Sequence, residues 1–219
     1  MKLTKPLLTV AAVAATISTT PVNAELFKGT AELGLYHPTK ASVNDIENGA
    51  DDNMMGLVSV EHPVPLIPNV RIDAARITTS TYEFGLASGS LYYQVLDNGL
   101  VDLDVGFGGT ALYDGMYGKS TDINKVEFDS TMAHAFVEAT VSLPFNPNLS
   151  VYANLFKMTE TKVDGQDYKV GVKYTMDYPA ISTIITGGFR QMSFDFDNLA
   201  GDKKEISNQG VFIMVGLSI

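Results

Sequence analysis

Apolar and polar residues alternate with a period of two along most of this chain, in segments of about ten residues separated by turn-forming residues. At the C-terminal end Val211, Ile213, Val215, Leu217 and Ile219 share one face, and Gly210, Phe212, Met214, Gly216 and Ser218 share the other. Between 130 and 143, Ala133, Ala135, Val137, Ala139, Val141 and Leu143 alternate with Ser130, Met132, His134, Phe136, Glu138, Thr140 and Ser142. A two-residue period puts successive side chains on opposite faces of a strand. It predicts ten strands, at roughly 26–36, 54–62, 69–79, 87–96, 100–112, 130–143, 148–158, 167–177, 180–192 and 209–219, with eight as the alternative count. No internal stretch carries apolar residues at helical spacing.

The connections alternate in character. Those at 62–69, 97–99, 144–148 and 178–180 are short and rich in Pro, or hold Asn98-Gly99, which suits a tight hairpin. Those at 37–53, 80–86, 113–129, 159–166 and 193–208 are mostly longer and richer in Asp, Asn, Gly and Lys. Short turns at one end and long loops at the other describe an all-β, antiparallel up-and-down transmembrane β-barrel, whose tilted strands need about 9–11 residues each. A soluble up-and-down barrel has the same alternation with its apolar face turned inward. Three features favour the membrane form. One face is rich in Gly and charge, the other is nearly free of charge, and the chain ends within its last strand at an apolar residue. That end departs from the usual outer-membrane signal, because Ile219 stands where an aromatic is expected and Met214 where a glycine is. There is no Trp, so Tyr and Phe must serve at the membrane interfaces.

Composition and the N-terminus sharpen this picture. Lys2 and Lys5, the apolar run from Pro6 to Ile17 and the small residues of Val22-Asn23-Ala24 make residues 1–24 a cleaved signal peptide, leaving 25–219 as the barrel domain. The 219 residues carry 15 basic and 25 acidic side chains, a net charge of −10, which argues against a nucleic-acid partner. With no Cys there are no disulfides, thiolate nucleophiles or Cys-based zinc sites.

Residues 61–71, E-H-P-V-P-L-I-P-N-V-R, and 92–104, Y-Y-Q-V-L-D-N-G-L-V-D-L-D, resemble a family of small integral outer-membrane β-barrel proteins of Gram-negative bacteria, which has a proline-rich turn of this form followed by a Y-Y-E-x-L-D-N hairpin. Gln94 replaces the acid of that hairpin. The resemblance implies a bacterial outer-membrane location and a barrel fold; the family's biochemical function is uncharacterised, and it supplies no catalytic residue.

On the predicted phases the inward-facing charges are Lys28, Glu32, Glu61, Arg71, Asp73, Asp102, Asp104, Glu138, Lys169, Lys173, Asp177 and Arg190, with His134 among them. A barrel of this size is narrow enough for side chains to fill, and opposite charges inside it should pair. His134 and Glu138 lie four residues apart on one face, about 13 Å, too far for a direct hydrogen bond. Ser130 is equally distant on the other side, so no Ser–His pair is visible along this strand. The three histidines show no metal spacing. Asp195-Phe196-Asp197-Asn198 with Gly201 and Asp202 only loosely resembles a calcium loop, so no metal or other cofactor is expected. Arg76 and Lys157 break the outward apolar face about 18–20 Å above the short-turn end, where lipopolysaccharide phosphates begin.

These features predict a non-catalytic outer-membrane barrel with a structural or interaction role, a plugged polar lumen and acidic external loops. The alternatives are a narrow porin-like channel for small solutes and an outer-membrane hydrolase or lipid-modifying enzyme. The expected partners are outer-membrane lipid and lipopolysaccharide, and the barrel assembly machinery during insertion. No oligomeric state is encoded in any recognisable pattern.

Overall fold

The computed structural model describes residues 27–64, 66–118 and 125–219, so the predicted signal peptide lies outside it. Eleven strands follow one another: β1 (Lys28–Val43), β2 (Ile46–Asn48), β3 (Asn53–Glu61), β4 (Asn69–Thr78), β5 (Tyr82–Asp97), β6 (Val101–Tyr117), β7 (Val126–Leu143), β8 (Asn146–Thr159), β9 (Val163–Asp177), β10 (Ser182–Leu199) and β11 (Asp202–Ser218). Each long strand pairs antiparallel with its neighbour in sequence, and β11 returns to pair with β1 from Thr30↔Ser218 to Val43↔Ile206. The result is a closed ten-strand barrel with one extra strand. The extra strand, β2, pairs with Ala41–Val43 of β1 above the point where β3 begins, so it carries on the line of β3 after an irregular step. Closure leaves no long edge strand.

Ten barrel strands occupy the ten predicted places. Their ends near the short turns agree with the sequence reading, and the opposite ends run further in all but β3 and β4. Residues 82–86, 113–117, 126–129, 163–166, 193–199 and 202–208, read from the sequence as loop, are strand. The 193–208 loop is a hairpin closed by Ala200 and Gly201, both at positive φ (58° and 92°), and Asn44 and Asp45 do the same between β1 and β2 (48° and 63°). Two consecutive left-handed residues make the type I′ turn that matches strand twist. The calcium-loop likeness of 195–202 therefore falls on the ends of β10 and β11 and the two-residue turn between them. At the short-turn end Gly99 takes φ 75°, and the Asn98 side chain caps the backbone N–H groups of Leu100 and Val101 at 3.0 and 2.8 Å.

β7 and β10 are 18 residues long. A tilted membrane-crossing strand needs about 9–11. Apart from β3 and β4, with 9 and 10 residues, the strands of the wall are longer than one such crossing requires, and their side chains change places along that length. Near the short turns the outward positions are apolar and exposed, as with Leu91 and Tyr93 on β5, Val170 and Val172 on β9, and Val211, Ile213, Val215 and Leu217 on β11. Further up, the same strands point apolar residues inward. Phe84 contacts Phe194 at 5.6 Å between ring centroids, Phe128 contacts Phe196 at 5.2 Å, and Leu86, Leu112, Met132, Met158 and Met192 are buried with them. The outward positions there are polar, among them Glu83, Asp129, Thr159, Asp195 and Glu205.

Candidate functional site

The barrel interior near the short turns holds the predicted lumen charges, and the closed sheet decides which of them meet. Arg71 on β4 is the hub. Its Nε and Nη2 donate to the two oxygens of Asp73 at 2.7 and 3.0 Å, and its Nη1 donates to Glu138 Oε2 on β7 at 2.7 Å. Asn154 of β8 donates to the same Glu138 oxygen at 3.1 Å, and Lys169 of β9 reaches Asp73 at 3.5 Å. The guanidinium lies over the rings of Phe136 and Phe156, 5.6 and 5.9 Å from their centroids. Planar forks to carboxylates and aromatic faces are arginine's particular chemistry. Phe136 reaches this place because Gly106 sits opposite it; a Cβ on Gly106 would collide with the ring.

A second cluster lies beside the first. Arg190 of β10 forks onto Asp167 of β9, with Nε to Oδ1 at 3.0 Å and Nη2 to Oδ2 at 2.7 Å, and packs over Tyr36, whose hydroxyl donates to Asn208 at 2.6 Å. Glu32 accepts from Thr186 at 2.7 Å, and Lys173 sits over Tyr152 at 5.5 Å. Four cations, Arg71, Lys169, Lys173 and Arg190, thus share this interior with four carboxylates, Glu32, Asp73, Glu138 and Asp167. Charge balance of this kind is what a low-dielectric interior demands. Between the clusters is a cavity of about 30 Å³, lined in part by Glu32, Arg71, Asp73, Glu138, Lys169 and Lys173. That is room for one or two waters.

Asp102 and Asp104 stand lower, at the short-turn mouth, and are half-buried. Lys28 bridges to Glu61 there at 3.2 Å, and Tyr92 donates to the same carboxylate at 3.2 Å. Asp177 is exposed at a turn and accepts from Ser182 at 2.6 Å, outside the network. Asp167 was missed by the sequence reading, although it shares the face of Lys169 and Lys173; it stands at the first position of the predicted strand.

His134 has partners the sequence reading did not find, because they lie on other strands. Its Nε2 is 2.9 Å from Ser90 Oγ on β5, and its Nδ1 is 2.8 Å from Thr110 Oγ1 on β6. His134 faces Gly108 of β6, which faces Ser90, so the missing side chain lets the imidazole reach past one strand to the next. The Ser–His separation suits proton abstraction. The orienting group on Nδ1 is a hydroxyl where a hydrolase has a carboxylate, and Ser90 is only 3 % exposed. Ser130 Oγ is buried and has no hydrogen-bond partner among the described residues. Among the described residues no group of three or more His, Asp or Glu side chains converges in a way that could hold a metal ion.

The two outward cations differ. Arg76 pairs with Glu83 on the neighbouring strand at 3.4 Å, and Lys157 projects exposed from the wall, just above the last apolar positions of β8.

No protein-family model and no curated protein matches the chain. Among solved structures it is similar to the N-terminal β-barrel domain of Pseudomonas aeruginosa OprF, at 11% identity over 89% of this chain and 98% of that one with a TM-score of 0.42. It is also similar to the β domain of the Bordetella autotransporter BrkA, at 10% identity over 87% and 98% with a TM-score of 0.47. The outer membrane protease OmpT of Escherichia coli matches at 10% identity over 89% and 93% with a TM-score of 0.39. The chain's own wall, closed and antiparallel, and in its short-turn half apolar outside and polar within, has the architecture of the outer-membrane β-barrel fold.

Proposed function

We propose that this chain resides in the bacterial outer membrane as a closed barrel with a structural or interaction role, its interior sealed against solute flow. One observation carries the reading: among the described residues the lumen is occupied at two levels, by a balanced ion network in the membrane half and by an aromatic and methionine core above it, with about 30 Å³ of space between the ion clusters. The short turns are assigned to the periplasm and the extended, acidic hairpins to the outside. Lys157, exposed at the upper edge of the apolar band, is the side chain best placed to meet a lipopolysaccharide phosphate; Arg76 is already neutralised by Glu83. Insertion would pass through the barrel assembly machinery, as for other barrels of this fold.

The test is conductance. Purified full-length protein in a planar bilayer should show little or no steady current, and reproducible large unitary steps would replace this reading with the channel. The enzymatic alternative rests on the Ser90–His134 contact. A buried serine with no carboxylate behind its histidine should remain unlabelled by a fluorophosphonate probe, and labelling lost in Ser90→Ala would establish a hydrolase instead.

A further inference from the structure

The turn between β3 and β4 is the longest of the four at its end of the barrel. From His62 to Val70 it contains no Asp, Glu, Lys or Arg. Val64, Leu66 and Ile67 are 50 %, 90 % and 54 % exposed, yet the backbone that carries them is tied down. The His62 N–H donates to Asn69 Oδ1 at 3.0 Å. The His62 ring accepts the Val64 N–H on Nδ1 at 3.2 Å, which leaves Nε2, 3.3 Å from the Pro68 carbonyl, as the protonated nitrogen. Leu66 holds a positive φ of 73°, a conformation that leucine rarely adopts. A tethered turn that presents apolar side chains to the outside has a defined shape, and water is a poor partner for it.

The position of the turn identifies the partner. Tyr93 points outward from β5, among the lipid-facing residues Leu91 and Val95, and its hydroxyl donates to the Leu66 carbonyl at 3.1 Å. The turn therefore leans against the outer surface of the wall. Its apolar tip continues the exposed apolar strip formed by Val70 and Ile72 on β4 and by Leu91, Tyr93 and Val95 on β5. Two of the other short turns carry exposed aromatics at the same end, Phe145 and Tyr178. Aromatic and apolar groups at this level suit the boundary between headgroups and acyl chains.

We propose that the β3–β4 turn is a membrane-dipping anchor through its described residues His62–Val64 and Leu66–Pro68, with Val64, Leu66 and Ile67 inserted into the periplasmic leaflet beside β4 and β5. This rests on the membrane-barrel reading above. Interfacial apolar segments settle about 5–10 Å into the headgroup and acyl boundary. The anchor stands on one flank of the barrel, so it biases the tilt of the whole barrel toward that flank.

The chain has no Trp and no Cys, so one introduced Trp reports without background. The full-length protein would be reconstituted in phosphatidylcholine bilayers brominated close to the glycerol or close to the chain end, with Leu66→Trp, Asn98→Trp and Phe107→Trp made singly. Phe107 faces outward at the middle of β6 and is 61 % exposed, so it controls for the membrane reading itself. The expected result is that shallow bromines quench Leu66→Trp several-fold more than Asn98→Trp, which lies in a polar turn at the same end. Deep bromines should quench Phe107→Trp. If Phe107→Trp is quenched while Leu66→Trp is reached by aqueous iodide and not by lipid bromine, the anchor is overturned and the turn faces water, free for a periplasmic protein. If Phe107→Trp escapes bromine as well, the membrane reading falls and the anchor with it.

Discussion

The two halves of this barrel are built from the same strands with opposite chemistry. On β10 the short-turn half turns Ile185 and Phe189 outward and Thr186 and Arg190 inward; a few residues later Met192, Phe194 and Phe196 face inward and Asp195 and Asp197 face outward. On β5 the order is reversed in sequence, with Tyr82, Phe84 and Leu86 inside above and Ser88 and Ser90 inside below. From Ser182 to Phe196 on β10 the alternation holds throughout, while the character of the two faces exchanges. Against lipid, the outside must be apolar and polar groups retreat inward, where they satisfy one another. Against water, the barrel reverts to the rule for soluble proteins, with apolar residues inside. The upper half is a small hydrophobic core standing on top of a polar one.

The largest effect on this contrast is expected from Arg71→Ala. It strips Asp73 and Glu138 of their shared partner in the membrane half, and leaving buried charge uncompensated costs about 3–5 kcal/mol. Equilibrium unfolding by guanidinium in lipid vesicles should show a loss of that size. In the upper half Met192→Ala removes a side chain from the apolar core and should cost about 2–5 kcal/mol through lost burial and the cavity left behind. If Met192→Ala were neutral, the upper half would be an open vestibule and not a core. The outer surface gives the smaller effects. Val215→Lys places a cation on the lipid face and should cost about 2–4 kcal/mol, whereas Thr159→Lys, outward on the upper wall, should stay within about 0.5 kcal/mol. Equal costs at the two positions would mean that the wall meets one solvent along its whole height.

The upper half was the part hardest to read from sequence. The stretch Met192-Ser193-Phe194-Asp195-Phe196-Asp197 alternates as regularly as any strand, yet its acids suggested a loop, because charge at the outward positions of a membrane strand looks like the end of that strand. Tyr82-Glu83-Phe84-Gly85-Leu86 has the same character. The inward phase of Arg71, Asp73, His134, Glu138, Lys169 and Arg190 was legible, since period two settles which residues share a face. Their partners were not. Arg71 meets Glu138 across 67 positions, and Asp73 meets Lys169 across 96. The Ser90–His134 contact depends on Gly108 lying between them in the register of three strands.

The sequence by itself determined the repeating unit of this protein, its ten barrel strands and the end of the barrel that carries the tight turns. Side-chain period, proline and Asn-Gly turns are local properties that each segment expresses alone. Only the tertiary structure decided which face meets lipid, water or lumen at each height, and which charge neutralises which. Alternation is blind to the side on which a solvent lies, and ion pairs inside a barrel form only after closure has set every strand in register against its neighbours.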